Sequence, residues 1–431
     1  MLEKVYKGEI SNKVKVYYVK NDELPLISFA IGFCSGSYLD PKGKEGLFYL
    51  TSSLIDKGYD TFSSFKIREF FDNIGAKFNI TSSKNMLSIK ILSEDKFFEK
   101  IVEFIRGLIF YPPFKEEEIE KEKNRIISEI LQDEEDPETF VSKKFYEVLY
   151  ENTPLSHPLE GYIESINSIE KKDIEEFYRE KVLKRKIFIA GTGSIDLDIF
   201  LKKFEDFFEN LDEFNLNYPE FKKDKVDKKI FLIKKKVNQV FVRLGQYSLN
   251  RKDKNYHKLI LSNYILGGGA VASRLYSKIR NELGFVYTIY SKFNNLDPFK
   301  GAFYYYFQTG TENFERAMKI LINEIKKFKL KGVKERELKE AKGFFKGSIP
   351  REIETYSQIT NILLSALYYE LKPSYLYDTL NKILETNKEE LFEFIRNFYD
   401  YENLCGTIIG PENYDFSFIY DIFSEHKIEL M

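Results

Sequence analysis

Shifting the sequence on itself by 209 residues brings glycines, aromatics and strand alternation into register without a gap. Gly36 and Tyr38 fall on Gly245 and Tyr247, Gly58 falls on Gly267, and IGAKFNITSS lies over LGFVYTIYSK. Within that run Ile74 meets Leu283, Gly75 meets Gly284, Phe78 meets Tyr287, Ile80 meets Ile289 and Ser82 meets Ser291. Further on the offset drifts, to 216 for Phe98-Glu99-Lys100 over Phe314-Glu315-Arg316 and to 219 for Glu118-Ile119 over Glu337-Leu338, as loops of unequal length require. A chain made of two copies of one unit is expected to fold as two like domains.

Each half opens with alternating strands, KVKVYYVKN then LPLISFAIGF, and KKIFLIKKK then NQVFVRLGQY. A helical segment follows, 45–57 and 255–266, each ending at a glycine (Gly58, Gly267) placed for a left-handed cap. Two strands of period two come next, 77–83 with 86–92, and 286–291 with 301–307. Long amphipathic helices complete each half before a closing strand, 185–190 and 403–409. Strands interrupted by runs of helices, without strict alternation, predict α+β domains: in each a mainly antiparallel sheet with helices packed on one face. The expected division is 1–211 for the first domain, 212–229 for a linker and 230–431 for the second. The linker sequence carries Asn, Pro and a Lys/Asp cluster with no sustained period.

At 431 residues the chain is long enough for two cores. Its 66 Lys+Arg against 68 Asp+Glu leave a formal net charge of −2. With a pI near 6.2, this does not supply the basic surface of a nucleic-acid binder. No apolar run reaches the roughly 18 residues that span a bilayer, and MLEKVYKGEIS lacks the apolar core of a signal peptide. No membrane partner is expected, and a cytoplasmic location is. Two cysteines, Cys34 and Cys405, make no disulfide framework and fit a reducing compartment. Cys34, on an alternating strand, reads as a buried thiol. The 40 Phe and 30 Tyr read mostly as core.

Three histidines, His157, His257 and His426, are too far apart for any local two-histidine metal motif. Ser52 and Ser53 lie in neither G-x-S-x-G nor S-x-x-K, so a serine nucleophile is not indicated. Gly267-Gly268-Gly269 follows a helix and lacks a P-loop lysine; it reads as a helix-to-helix turn needing positive φ.

The stretch ILGGGAVASRLYSKIRNELGFVYTIYS (265–291) resembles the C-terminal domain of the pitrilysin/insulinase family of zinc metallopeptidases, which includes the mitochondrial processing peptidase and bacterial two-subunit enzymes. GSYLDPKGKEGLFYLTSSLIDKGYDTFSS is similar to that family's active-site helix region, IGAKFNITSSKNM to its edge strand, and HPLEGYIESINSIEKKDIEEFYREKV to the segment closing its N-terminal domain. The likeness covers nearly the whole chain in matching order.

Active members carry H-x-x-E-H where this chain has Tyr49, Ser52 and Ser53, in GLFYLTSSLIDKG. A phenol neutral at pH 7 and two hydroxyls replace two imidazoles and a general base, so these read as ordinary helix residues and no metal ligand is assigned. The family's third ligand, a glutamate about 76 residues on, aligns with Glu129, since 53 + 76 = 129; Glu122 shares its helix face. Without histidines opposite, both are expected to be solvated charges on a Glu/Lys-rich helix.

The second half keeps what the first has lost. Arg280 and Tyr287 stand at the family's Arg/Tyr pair, one at a helix end and one on the next strand. Through the resemblance they are candidate substrate-binding residues, a fork of donors and a phenol suited to a carbonyl oxygen gaining charge. Without it, Arg280 reads equally as a complement to the helix dipole and Tyr287 as half-buried core.

The resemblance therefore implies a chain inactive alone: a non-catalytic, substrate-binding subunit of a heteromeric zinc metallopeptidase. Zinc would sit on a homologous partner carrying H-x-x-E-H, an unfolded peptide would be the substrate, and this chain would hold no cofactor of its own. Strand 76–83 is a candidate for peptide binding by strand addition. The competing reading is a non-proteolytic structural or peptide-binding homodimer.

Overall fold

The protein is described here from a computed structural model covering residues 4–59, 62–208 and 225–431. In the first half the strands are Tyr6–Ile10 (β1), Val14–Lys20 (β2), Leu26–Phe33 (β3), Gly58–Tyr59 (β4), Phe62–Ser63 (β5), Lys77–Ser82 (β6), Leu87–Glu94 (β7) and Ile187–Gly193 (β8). In the second they are Lys229–Lys235 (β9), Gln239–Tyr247 (β10), Thr288–Phe293 (β11), Ala302–Gly310 (β12), Cys405–Pro411 (β13) and Lys427–Leu430 (β14). The first sheet has the order β1-β2-β8-β3-β7-β6; the second, read from its far edge, has β14-β9-β13-β10-β12-β11. The short pair β4 and β5 stands apart.

The duplication predicted from the offset of 209 is therefore a duplication of topology. Within each sheet the second and third strands pair in parallel, β2 with β8 and β9 with β13, and the inner strands pair antiparallel. The outermost strand is where the copies differ: β1 runs antiparallel to β2, whereas β14 runs parallel to β9. The α+β class and the mainly antiparallel pairing are as the sequence predicts.

One face of the first sheet is apolar through Ile27, Phe29, Ile31 and Phe33 of β3 and Leu87, Ile89 and Ile91 of β7, and packs on helices of its own half. The structure adds a helix on the other face. Val19, Ala30, Cys34, Phe188 and Ala190 meet Ile359, Leu363 and Leu367 of the helix Tyr356–Tyr368, which comes from the second half of the sequence. Its start is fixed locally: Thr355 accepts from the Gln358 N–H, and Gln358 returns the bond to the Thr355 N–H. The second sheet receives the reciprocal helix, Pro137–Leu149, capped by Asp136 with Pro137 at the first position. Its Phe145 closes on Gly245, where an added Cβ would come within 2.8 Å of the ring.

The compact units are accordingly discontinuous. The first runs to Ile130, resumes at His157 and takes back Ile349–Tyr377; the second takes Leu131–Ser156, continues to Ser348 and ends with Asp378–Met431. Set beside the expected division at 1–211 and 230–431, these units exchange one helical segment each way. Of the expected linker, residues up to 224 lie outside the described residues, and Lys229 already opens β9.

Two glycine expectations change. Gly58 and Gly267 are not left-handed; positive φ falls instead on Gly75 (+64°) and Gly284 (+66°), the pair aligned by the repeat, each turning the chain into an edge strand. In the triple glycine none has positive φ, and the left-handed residue is Ala270 at +47°. Gly267 is there for close approach: a Cβ would meet the Ser291 Oγ at 2.5 Å and its backbone N at 2.7 Å.

Candidate functional site

In the first unit the helix Leu47–Ser53 carries the former motif positions. Its N-terminus is held by Asp40, whose carboxylate accepts from the Gly46 N–H at 2.9 Å and the Phe48 N–H at 2.7 Å. Burial raises the Asp40 pKa well above the carboxylate range, against those two bonds. The helix faces β6, which is the edge of its sheet, as the sequence expectation for strand 76–83 requires. Between them opens a cleft of about 270 Å³ bounded by Tyr49, Ser52, Ser53, Phe78, Glu122 and Arg125.

The cleft is lined with ion pairs. Arg125 donates Nε to Glu122 at 2.7 Å and Nη1 to Glu129 at 2.9 Å. The Tyr49 hydroxyl lies 3.2 Å from both oxygens of Glu129, and its ring lies 5.8 Å from the guanidinium carbon. Lys57 pairs with the other Glu122 oxygen at 3.4 Å and with Asp56 at 3.1 Å. Burial raises the pKa of Tyr49, and the Glu129 charge adds to it. Burial, the largest single effect, opposes the charge on Arg125, but the interactions with Glu122 and Tyr49 together outweigh it and the guanidinium is held more firmly protonated.

This corrects the reading of Glu122 as a solvated charge, while Glu129 stays partly exposed in its pair with Arg125. Glu122 is 7 % exposed and bound by two cations. Sequence reasoning missed Arg125 and Lys57. The spacing Glu122-Arg125-Glu129, three and four residues, was a legible signal for the first; nothing local announces Lys57.

The donors present do not fit zinc. Its first shell wants neutral imidazole and anionic oxygen or sulfur. Here the two carboxylates already have a permanent cation between them, and a second cation, the Lys57 ammonium, stands beside Glu122. A divalent ion would meet both as like charges. Among the described residues no three His, Cys, Asp or Glu side chains are grouped to hold a metal. The serine hydroxyls are turned into their own helix, Ser52 Oγ to the Tyr49 carbonyl and Ser53 Oγ to that of Leu50, each at 2.9 Å. His157 is occupied elsewhere, its ring nitrogens 2.7 Å and 3.0 Å from the carbonyls of Pro158 and Ser37.

In the second unit Arg280 lies in the π-helical run Tyr276–Glu282, and Tyr287 immediately precedes β11, the edge of that sheet. Gly284 turns the chain between them, and the Tyr287 N–H donates to the Gln308 carbonyl at 2.9 Å. Both side chains are exposed, Tyr287 by 58 %. Tyr287 is therefore not half-buried core. The Arg280 guanidinium rests on the Tyr276 ring and donates to its hydroxyl. Among the described residues no hydrogen bond joins Arg280 to Tyr287.

Comparison with known proteins places this geometry. The family model described as Insulinase (Peptidase family M16) matches residues 15–162, and the one described as Peptidase M16 inactive domain matches 168–343. The chain belongs to peptidase family M16. It is an inactive-type M16 member, with Tyr49, Ser52 and Ser53 at the motif positions. It is 25% identical over 409 residues to the "Non-peptidase homolog YmxG" of Helicobacter pylori, covering 94% of this chain and 93% of that one. The "Uncharacterized zinc protease YmxG" of Bacillus subtilis is 25% identical over 405 residues, covering 93% and 97%. Among solved structures, the peptidase M16 inactive domain from Pseudomonas fluorescens superposes with a TM-score of 0.89 at 23% identity, over 94% of this chain and 98% of that one. No described helix is long and apolar enough to cross a membrane.

Proposed function

We propose that this M16 chain is the non-catalytic, substrate-binding subunit of a heteromeric zinc metallopeptidase, and that it lends Arg280 and Tyr287 to the active site of a homologous partner. The observation that carries the reading is an asymmetry. The first unit has its motif positions replaced and its carboxylates tied to Arg125 and Lys57, while the second presents a guanidinium and a phenol to solvent. Zinc and the water it activates would belong to the partner. This chain would donate to the peptide carbonyl as negative charge builds on it. Strand β6, at a sheet edge, would take an unfolded peptide as an added strand. A reducing, cytoplasmic setting suits Cys34 and Cys405, both of them buried.

The test mixes the purified chain with an H-x-x-E-H-bearing homologue from the same source. The mixture is expected to cleave unfolded peptides, and Arg280→Ala to lower kcat about a hundredfold while the two chains still copurify. Unchanged turnover in the mutant mixture would refute the assigned role. A stable homodimer that recruits no metal-bearing chain would favour the structural reading.

A further inference from the structure

The first sheet has a second recess, on the face away from the Tyr49 cleft. Strand register builds it: Asn79 of β6 pairs with Lys90 of β7, Lys90 pairs with Ala30 of β3, and Lys77 pairs with Leu92, which pairs with Ser28. These residues share one face because side chains alternate along a strand. The helix Tyr356–Tyr368 supplies the facing wall through Thr360 and Asn361. The recess measures about 160 Å³.

Its charge is one-sided. Lys77 and Lys90 line it together with neutral polar and apolar groups, and no carboxylate does, in a chain with 68 Asp and Glu. Among the described residues neither lysine has an ion-pair partner. Lys90 is half-buried, and that burial alone pulls its ammonium below the ordinary lysine range. Lys57, by contrast, is held by two carboxylates. A half-buried ammonium with no counter-charge has lost hydration and gained nothing in return. An anion seated between Lys77 and Lys90 would restore the balance, with the Asn79 and Asn361 amides as further donors.

Position decides what brings the anion. The recess and the Tyr49 cleft lie on opposite faces of the same edge strand, with Lys77 lining the first, Phe78 and Ile80 lining the second, and Asn79 bordering both. An extended peptide added along β6 sends successive side chains alternately to the two faces. We propose that the recess between β3, β6, β7 and the helix Tyr356–Tyr368 binds a carboxylate, carried by an Asp or Glu side chain of a peptide strand on β6. The chain thereby selects segments in which acidic and apolar residues alternate. This rests on the reading of β6 as the peptide-binding edge.

Fluorescent octapeptides of alternating pattern, identical except for Glu or Gln at the acidic positions, are titrated against the full chain and its Lys77→Gln/Lys90→Met variant. Glutarate is tested as a free dicarboxylate in a thermal-shift arm. The Glu peptide is expected to bind about tenfold more tightly than the Gln peptide, and the ratio to fall to about one in the variant. Equal binding of both peptides by the unmodified chain overturns the carboxylate pocket and leaves the β6 reading standing. Binding of neither peptide overturns the β6 reading and this inference with it. Stabilisation by glutarate that the variant loses, without any Glu-over-Gln preference, assigns the recess to a free acid and overturns the peptide source. Lys77→Gln alone, on the exposed side, gives the ratio a second reading if the double variant does not fold.

Discussion

The Nε of Arg125 lies 2.7 Å from the Oε2 of Glu122, a carboxylate only 7 % exposed. With Nη1 on Glu129, one guanidinium occupies both carboxylates, of which Glu129 is the one that aligns with the third metal ligand of the H-x-x-E-H pattern. The loss of the motif is thus accompanied by a substitute charge, and restoring the motif alone should not restore the ion. The triple variant Tyr49→His, Ser52→Glu, Ser53→His is expected to bind zinc weakly, and the same variant with Arg125→Ala to bind it at least tenfold more tightly. Zinc titration by calorimetry decides: equal affinities would show that Arg125 does not guard the site.

Arg125 also has a structural consequence. Removing it leaves Glu122 with Lys57 alone at 3.4 Å, and frees Tyr49 and Glu129 to lose their shared geometry. Arg125 is partly exposed, which discounts the effect, so Arg125→Ala is expected to cost about 1–2 kcal/mol. The urea midpoint measures it, with an unchanged slope as the check that the denatured state is unaltered.

Tyr287→Phe isolates the hydroxyl, since the exposed ring and the backbone bond to Gln308 remain. In the reconstituted mixture it is expected to lower kcat about tenfold or more with little change in KM, the pattern of an interaction made as charge develops. A change confined to KM would assign the residue to peptide binding instead.

Burial pushes the pKa of His157 down from 6.5, with Lys84 adding to the effect, against the pull of the Pro158 and Ser37 carbonyls. The same direction holds for His257 and His426. A histidine with a lowered folded pKa binds its proton more readily unfolded. Stability is therefore full above pH 6.5 and falls as the pH drops through that value toward the folded pKa. The urea midpoint of the chain is expected to fall between pH 7.5 and 5.5. His157→Gln should flatten that fall even if it lowers stability at both ends. A mutant with the same pH slope would exclude His157 as a contributor.

The repeat made much of the fold legible. Matched strands and the alignment of Gly75 with Gly284 follow from one offset, because alternation is a local demand that residue type reveals. The positive φ of those two glycines, expected instead at Gly58 and Gly267, and the edge position of β11 were not read. What stayed hidden was long-range. The helices Pro137–Leu149 and Tyr356–Tyr368 are amphipathic by pattern, but an apolar stripe carries no address, and each packs on the sheet of the other sequence half. Gly267 looked like a cap and is a close contact with Ser291, a partner 24 residues away. At the site, Tyr49, Ser52 and Ser53 told plainly what was absent. The Glu122–Arg125–Glu129 spacing hinted at what replaced it, and Lys57 reaches Glu122 from 65 residues earlier in the chain, a distance at which sequence is silent.

The central claim is that Arg125, and not a metal, balances the carboxylates of the first unit. Elemental analysis of the purified chain, expressed without a partner in zinc-supplemented medium and dialysed, measures it most directly. The account predicts far less than one zinc per chain and no chelator-sensitive cleavage of casein. One zinc per chain, lost together with casein cleavage on treatment with chelator, would contradict it.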